Sequence, residues 1–424
     1  MHERDREEMF RDKKGSVTVF VMMFMVSLIM MFLVLIRASK DAAVKGSFGA
    51  LGVMWCDSVL AEYDLNLQDR YDIFAFYGLQ PEIDGKLRFY AGKSVLDKKY
   101  VSMSGVESSL SDYSLFDTEN FRKQITKAAK LRLAGKLLGK PYECENHGPE
   151  QPRTGSAGDL MSDLPSGGSS SGVSAAVIGD AASGAGSISD IVTDTGNRFL
   201  ENEYAFMYFK DRSDDKDIGK TFLNYEIEYL ICGKKSDEAN EASMKLKIVA
   251  VRLIFNTIFA LEDPEIISET LAAAEVITPG PAAAATQKLL QAGWAACESV
   301  NDYNLLVNGK KVPMYKDKAS WALDLESVIK GGIHEHEEGD EPEMKEEVPC
   351  VDPGNEHGEE YKDYIKAMLF LMDENMMLLR MMDLMQINMR YCHYADFRIR
   401  DYNTGLKAVF DVNGGKYEVE RSYE

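Results

Sequence analysis

Hydrophobic and polar positions alternate with different periods along this chain, and one stretch has no period at all. From Val17 to Ile36, twenty residues (VTVFVMMFMVSLIMMFLVLI) carry no charge, and only Thr18 and Ser27 are polar. At about 1.5 Å per residue such a helix spans roughly 30 Å, the thickness of a bilayer's hydrocarbon core. A buried helix of a globular protein would show a polar stripe. The run therefore reads as a transmembrane helix over 17–36, with 1–16 as a short leader. A cleaved secretory signal is the second reading, since Ala38 and Ala42-Ala43 follow. Its apolar region would normally be shorter, about 7–15 residues.

Beyond Ile36 the helix is expected to continue. Val44, Phe48, Leu51, Met54, Val59 and Tyr63 recur at near-helical spacing with no proline up to Leu65. Gly46, Gly49 and Gly52 weaken this stretch as a helix, or permit close packing. Tyr71–Tyr77 predicts a strand closed by Gly78 and Pro81. Thr118–Leu138 predicts a helix, capped by Asp117 or Thr118 and ended by Gly139 and Pro141. Thr221–Cys232 predicts a strand, because Phe222, Tyr225, Ile227, Tyr229 and Ile231 mostly alternate; Glu226 and Glu228 are placed on its outer face. Ser236 caps a helix that buries Met244, Ile248, Val251, Phe255 and Ile258. Pro264 and Pro279 punctuate shorter helices, and Thr286–Val300 is helical with Trp294 as its anchor. Tyr361–Tyr391 predicts one long helix dense in methionine. Leu406–Val412 and Lys416–Tyr423, joined by Asn413-Gly414-Gly415, predict a hairpin. The fold class is α+β.

Composition interrupts this pattern twice. Residues 151–190 hold 10 Ser and 8 Gly. Such a segment buries too little surface to offset its ordering entropy, so 146–190 reads as a flexible insert between an external part at 37–145 and a C-terminal part at 191–424. Residues 333–360 form an acidic loop.

Charge removes some functions. With 48 Lys+Arg against 69 Asp+Glu, the net charge is −21. Nucleic-acid binding, which needs a basic footprint, is excluded as an expectation. Orientation follows the flanking cations: Arg4, Arg6, Arg11, Lys13 and Lys14 precede the apolar run, whereas Arg37, Lys40 and Lys45 follow it. The bias places the N-terminus in the cytoplasm and the rest of the chain outside.

Candidate chemistry is sparse. His334-Glu335-His336-Glu337-Glu338, with His357 nearby, alternates metal-ligand types, but a solvated acidic loop is the better reading. The six cysteines, 56, 144, 232, 297, 350 and 392, show no CxxC pair and no zinc spacing. Asp64, Asp69 and Asp72 are cation candidates at a helix end. Met368, Met372, Met376 and Met382 share a helical face, which suits core packing better than soft-metal binding. Metalloprotease and nucleotide-binding signatures such as HExxH and GxxxxGK[ST] are missing. No catalytic residue, metal ligand or cofactor is assigned.

Several segments together resemble a family of uncharacterised single-pass proteins of Gram-positive bacteria, a domain of unknown function. They are Gly15-Ser16-Val17-Thr18-Val19-Phe20, Leu60-Ala61-Glu62-Tyr63-Asp64, Arg70-Tyr71-Asp72-Ile73-Phe74 and Asn202-Glu203-Tyr204. Asn224–Tyr229, Cys232-Gly233-Lys234, Arg252 with Asn256, Trp294 with Glu298-Ser299, and Gly309–Pro313 also fit. The resemblance implies association with tight-adherence (Tad, or Flp) pilus gene clusters, and thus the lipid bilayer and other pilus or secretion membrane components as partners. The N-terminus is similar to the pilin-like TadE and TadG proteins, which implies leader cleavage between Gly15 and Ser16. Prepilins carry Glu five positions after the cleaved glycine; here that position is Phe20. The expectation is a non-enzymatic, membrane-anchored cell-envelope protein. A surface-anchored hydrolase without recognised motifs, or an extracellular binding or sensor module, are the alternatives.

Overall fold

The structure is a computed structural model that describes residues 4–95, 102–139, 156–168, 172–188, 191, 196–213, 219–330 and 348–423. The chain forms two compact units. The first unit combines both ends of the chain: residues 1–63, 76–114 and 403–423.

In that first unit one helix runs without a break from Arg4 to Leu60. Of residues 17–43, all but Leu28 are exposed. From Val44 onward one face is buried, through Val44, Phe48, Trp55, Cys56 and Val59. These side chains lie on an antiparallel sheet in the order Met103–Ser109, Gly405–Val412, Gly415–Ser422. The central strand alternates, sending Leu406, Ala408, Phe410 and Val412 inward. The Trp55 and Phe410 rings meet edge to face at 5.2 Å. Gly52 lets helix and sheet touch: a Cβ there would stand 2.9 Å from Val419 Cγ2, whereas Gly46 and Gly49 face open space. The helix Gln80–Val95 adds Ile83, Leu87 and Ala91. The expected hairpin forms, and Asn413 and Gly414 both take the positive φ that its tight turn requires.

The second unit comprises residues 64–75 and 115–402, is almost wholly helical, and has one large core. Local signals set its helix ends. Asp117 accepts from the backbone N–H groups of Glu119 and Asn120 to start Thr118–Leu137. Ser236 starts Asp237–Glu262. Asp263 ends that helix and caps the next, Pro264–Ile277, which has Pro at its first position. Ala283–Val307 follows, with Trp294 buried and its indole N–H on Leu323 O at 3.0 Å.

Five expectations are corrected here. Tyr71–Tyr77 is strand only at Phe76–Tyr77; Leu65–Tyr71 is a helix capped by Asp64. Thr221–Cys232 is not a strand. Glu226–Cys232 is a helix buried on every side, so it lacks the polar stripe that marks a helix in sequence. The methionine segment is two helices, Tyr361–Leu371 and Glu374–Cys392, because Met372 is extended and Asp373 caps the second. The Gly/Ser-rich segment sends several side chains into the core. Ala175–Ala185 is a helix, and Leu160, Met161, Val173, Ile178, Ala182 and Ile188 join the core. Small residues there serve close contact: a Cβ on Gly179 would stand 2.8 Å from Ile254 Cδ1. Ile258, expected inside, is 41% exposed.

Candidate functional site

The densest polar chemistry lies inside the second unit, between the helices Asp237–Glu262 and Ala283–Val307 and the loop after them. Arg252 and Asn256 are one turn apart on the first helix; Glu298 and Asp302 are one turn apart on the second. The following loop delivers Lys316. All five are buried. Arg252 Nε donates to Asp302 Oδ2 at 2.9 Å, and Asn256 Nδ2 donates to the same oxygen at 2.8 Å. The rest of the Arg252 guanidinium reaches Met314 O, Tyr364 Oη and Asn256 Oδ1.

Lys316 Nζ lies 2.6 Å from Asp302 Oδ1 and also pairs with Glu298 Oε1. Glu298 is held further by the N–H groups of Ala322, on Oε1 at 2.9 Å, and Leu323, on Oε2 at 3.0 Å. Two cations and two carboxylates thus balance inside the protein. Burial works against ionising Asp302, but Arg252 and Lys316 outweigh it and hold the carboxyl below its ordinary value. Trp321 closes the group, with Lys316 Nζ 5.7 Å from its ring centre.

A second buried pair surrounds the helix Glu226–Cys232. Glu226 accepts from Lys210 N at 3.0 Å and Asn388 Nδ2 at 2.6 Å. Glu228 Oε1 accepts from Arg212 N at 3.1 Å and the Tyr361 hydroxyl at 2.9 Å, while Oε2 has no hydrogen-bond partner. Burial pushes the Glu228 carboxyl up to about 7 despite those donors. These carboxylates are interior groups and not the outer face of a strand.

The residues singled out in the sequence do not converge. Gly15 and Ser16 lie within the uninterrupted helix Arg4–Leu60. His334, Glu335, His336, Glu337 and Glu338 fall outside the described residues, and His357 is exposed. Asp64 is engaged as a cap and by the Tyr402 hydroxyl; Asp72 by Arg132 and Tyr208. Among the described residues no three His, Cys, Asp or Glu side chains group to hold a metal ion. The described cysteines, 56, 232, 297, 350 and 392, are free, and burial pushes Cys56 up to about 12. Met368, Met377, Met381, Met382, Met385 and Met389 are all core residues. In two surface cavities some of the polar side chains serve as helix caps. One of about 330 Å³ has Ser174 and Asp373 at its rim, and one of about 580 Å³ has Asp324.

The Lys316 group was not foreseen from sequence. Its members are scattered over helix and loop, and only Arg252, Asn256 and Glu298 belong to the segments that carry the family resemblance. The one local signal is a Glu-x-x-x-Asp pair, with Glu298 near the end of the predicted helix Thr286–Val300 and Asp302 just beyond it. Residues 153–414 match a family model described as a family of unknown function, DUF5702. No curated protein and no solved structure matches the chain.

Proposed function

The chain belongs to the DUF5702 family of unknown function, and from that premise we propose that it is a single-pass membrane protein of the cell envelope. In this reading residues 17–36 cross the bilayer, the Arg11/Lys13/Lys14 cluster stays in the cytoplasm, and both compact units face outward. One observation carries it: the uncharged run is exposed along its length, while the same helix buries a face only from Val44 onward. Seventeen exposed apolar residues in water would be a severe aggregation hazard, and lipid removes it. The work of the protein is then assembly rather than turnover, as a component of a Tad/Flp-like pilus or secretion apparatus. That finer assignment rests on the resemblance of the Gly15-Ser16 leader and helix to pilin-like proteins. Phe20 argues for a stationary member. It leaves a cleaved N-terminal amine without the carboxylate that would pair with it in an apolar filament core.

Protease added to intact, wall-stripped cells tests the topology. Digestion of residues 200–424 is expected; their full protection would overturn the orientation. Recovery of this chain as the major component of sheared surface filaments would overturn the stationary role.

A further inference from the structure

We propose that Lys316 and Asp302 condense to an intramolecular isopeptide bond, with Glu298 as the proton carrier, so that the mature protein is covalently tied inside its second unit. This site is independent of the membrane reading.

The geometry has each part the reaction needs. The nucleophile and the carboxyl are already in contact, at 2.6 Å between Nζ and Oδ1, and among the described residues no donor other than Lys316 takes that oxygen. Reacting groups held this way need no encounter step. The Lys316 side chain is 1% exposed and those of Asp302 and Glu298 are 0%, so bulk water does not compete for the carboxyl carbon. The other carboxyl oxygen, Oδ2, receives Arg252 Nε and Asn256 Nδ2. Two donors on one oxygen are an oxyanion hole in place before reaction. Glu298 Oε1 touches the same ammonium and is anchored by the Ala322 N–H.

The step balances without any co-reactant. The Lys316 ammonium gives one proton to Oδ1, which turns the ion pair into an amine and a carboxylic acid. Total charge is unchanged. The amine nitrogen attacks Cγ of Asp302, and negative charge gathers on Oδ2 between Arg252 and Asn256. Glu298 takes a second proton from the nitrogen and returns it to the Oδ1 hydroxyl, which departs as water. One C–N bond has formed and one C–O bond has broken. The third hydrogen stays on the amide nitrogen, and Oδ2 becomes the amide carbonyl. Nothing is oxidised or reduced. Arg252 and Glu298 remain as one cation and one anion, so the interior stays neutral. The product ties the end of the helix Ala283–Val307 to the loop that leaves it, and like a disulfide it restricts the unfolded chain, but reductants do not open it.

Peptide mapping by mass spectrometry of the denatured full-length protein tests this. The expected result is a branched peptide joining Lys316 to Asp302, one water lighter than its two halves. Lys316→Arg keeps the positive charge but cannot condense and should return the full sequence mass. Glu298→Gln keeps a polar side chain without the proton-carrying carboxylate and should leave the two peptides mostly separate. Unjoined, unmodified Lys316 and Asp302 peptides throughout the wild-type protein would overturn the proposal, whatever the variants do. So would loss of a water that persists in Lys316→Arg.

Discussion

Asn388 and Glu226, 162 positions apart, meet in the core of the second unit, where the Asn388 amide donates to Glu226 Oε1 at 2.6 Å. The contact fastens the methionine-rich helix Glu374–Cys392 to the short buried helix Glu226–Cys232. It also shows what the methionines do there. They fill space around a polar lock instead of offering thioethers to a ligand.

Removing one half of this lock strands the other. Asn388→Ala leaves Glu226 Oε1 buried without that donor, while burial already raises the carboxyl's pKa. The expected loss is about 1–3 kcal/mol in urea unfolding of the detergent-solubilised full chain. A loss within about 0.5 kcal/mol would mean that the pair is not made.

Buried and exposed ion pairs should differ sharply. Arg252→Met leaves this dry interior group with one carboxylate charge that no cation balances and should cost roughly 3–5 kcal/mol. Lys330 and Glu326 pair on the surface, with side chains 71% and 76% exposed. Lys330→Met should change stability by no more than about 0.5 kcal/mol. The same urea titration reads both variants.

Glu228 makes stability depend on pH. Its folded carboxyl titrates near 7 against an ordinary value of 4.5, so the folded chain holds a proton that the unfolded chain releases. Stability is therefore lost as pH rises from the ordinary carboxylate range through about 7, at up to about 1.4 kcal/mol per unit. Glu228→Gln removes that contribution. Wild type minus variant, followed by thermal midpoint from acid to mild alkali, should become steadily more negative and level off above neutrality. A flat difference would refute it.

The Gly/Ser-rich segment gives a fourth test. Its composition argues for a dispensable loop, yet Ile178 and Ala182 are fully buried. Deleting residues 172–188 should lower the thermal midpoint markedly, since burying a single Ile is already worth about 1.5–3 kcal/mol. Gly179→Leu, which forces a side chain against Ile254, should destabilise in the same direction.

What sequence revealed of this fold was local. Asp117, Ser236 and the Asn413-Gly414 turn act within a few residues of themselves, and so they could be read. The helix Glu226–Cys232 was misread because burial on every side erases period, and aromatic and β-branched residues then imitate a strand. The break at Met372–Asp373 carries no Gly or Pro and hides inside a run of good helix formers. The Lys316 group depends on Arg252 and Asp302, 50 positions apart, and no spacing rule reaches that far. The packed insert shows that a few well-placed apolar residues can dock a segment whose average composition argues otherwise.

The uninterrupted helix Arg4–Leu60 has a mechanical consequence. At about 1.5 Å per residue it is roughly 85 Å long, and its helical backbone is unbroken from the apolar portion to the face that grips the sheet. Whatever anchors residues 17–36 therefore anchors the strands Gly405–Val412 and Gly415–Ser422 as well. Twisting or tilting the helix at one end turns the sheet at the other, so the first unit is geared to its anchor.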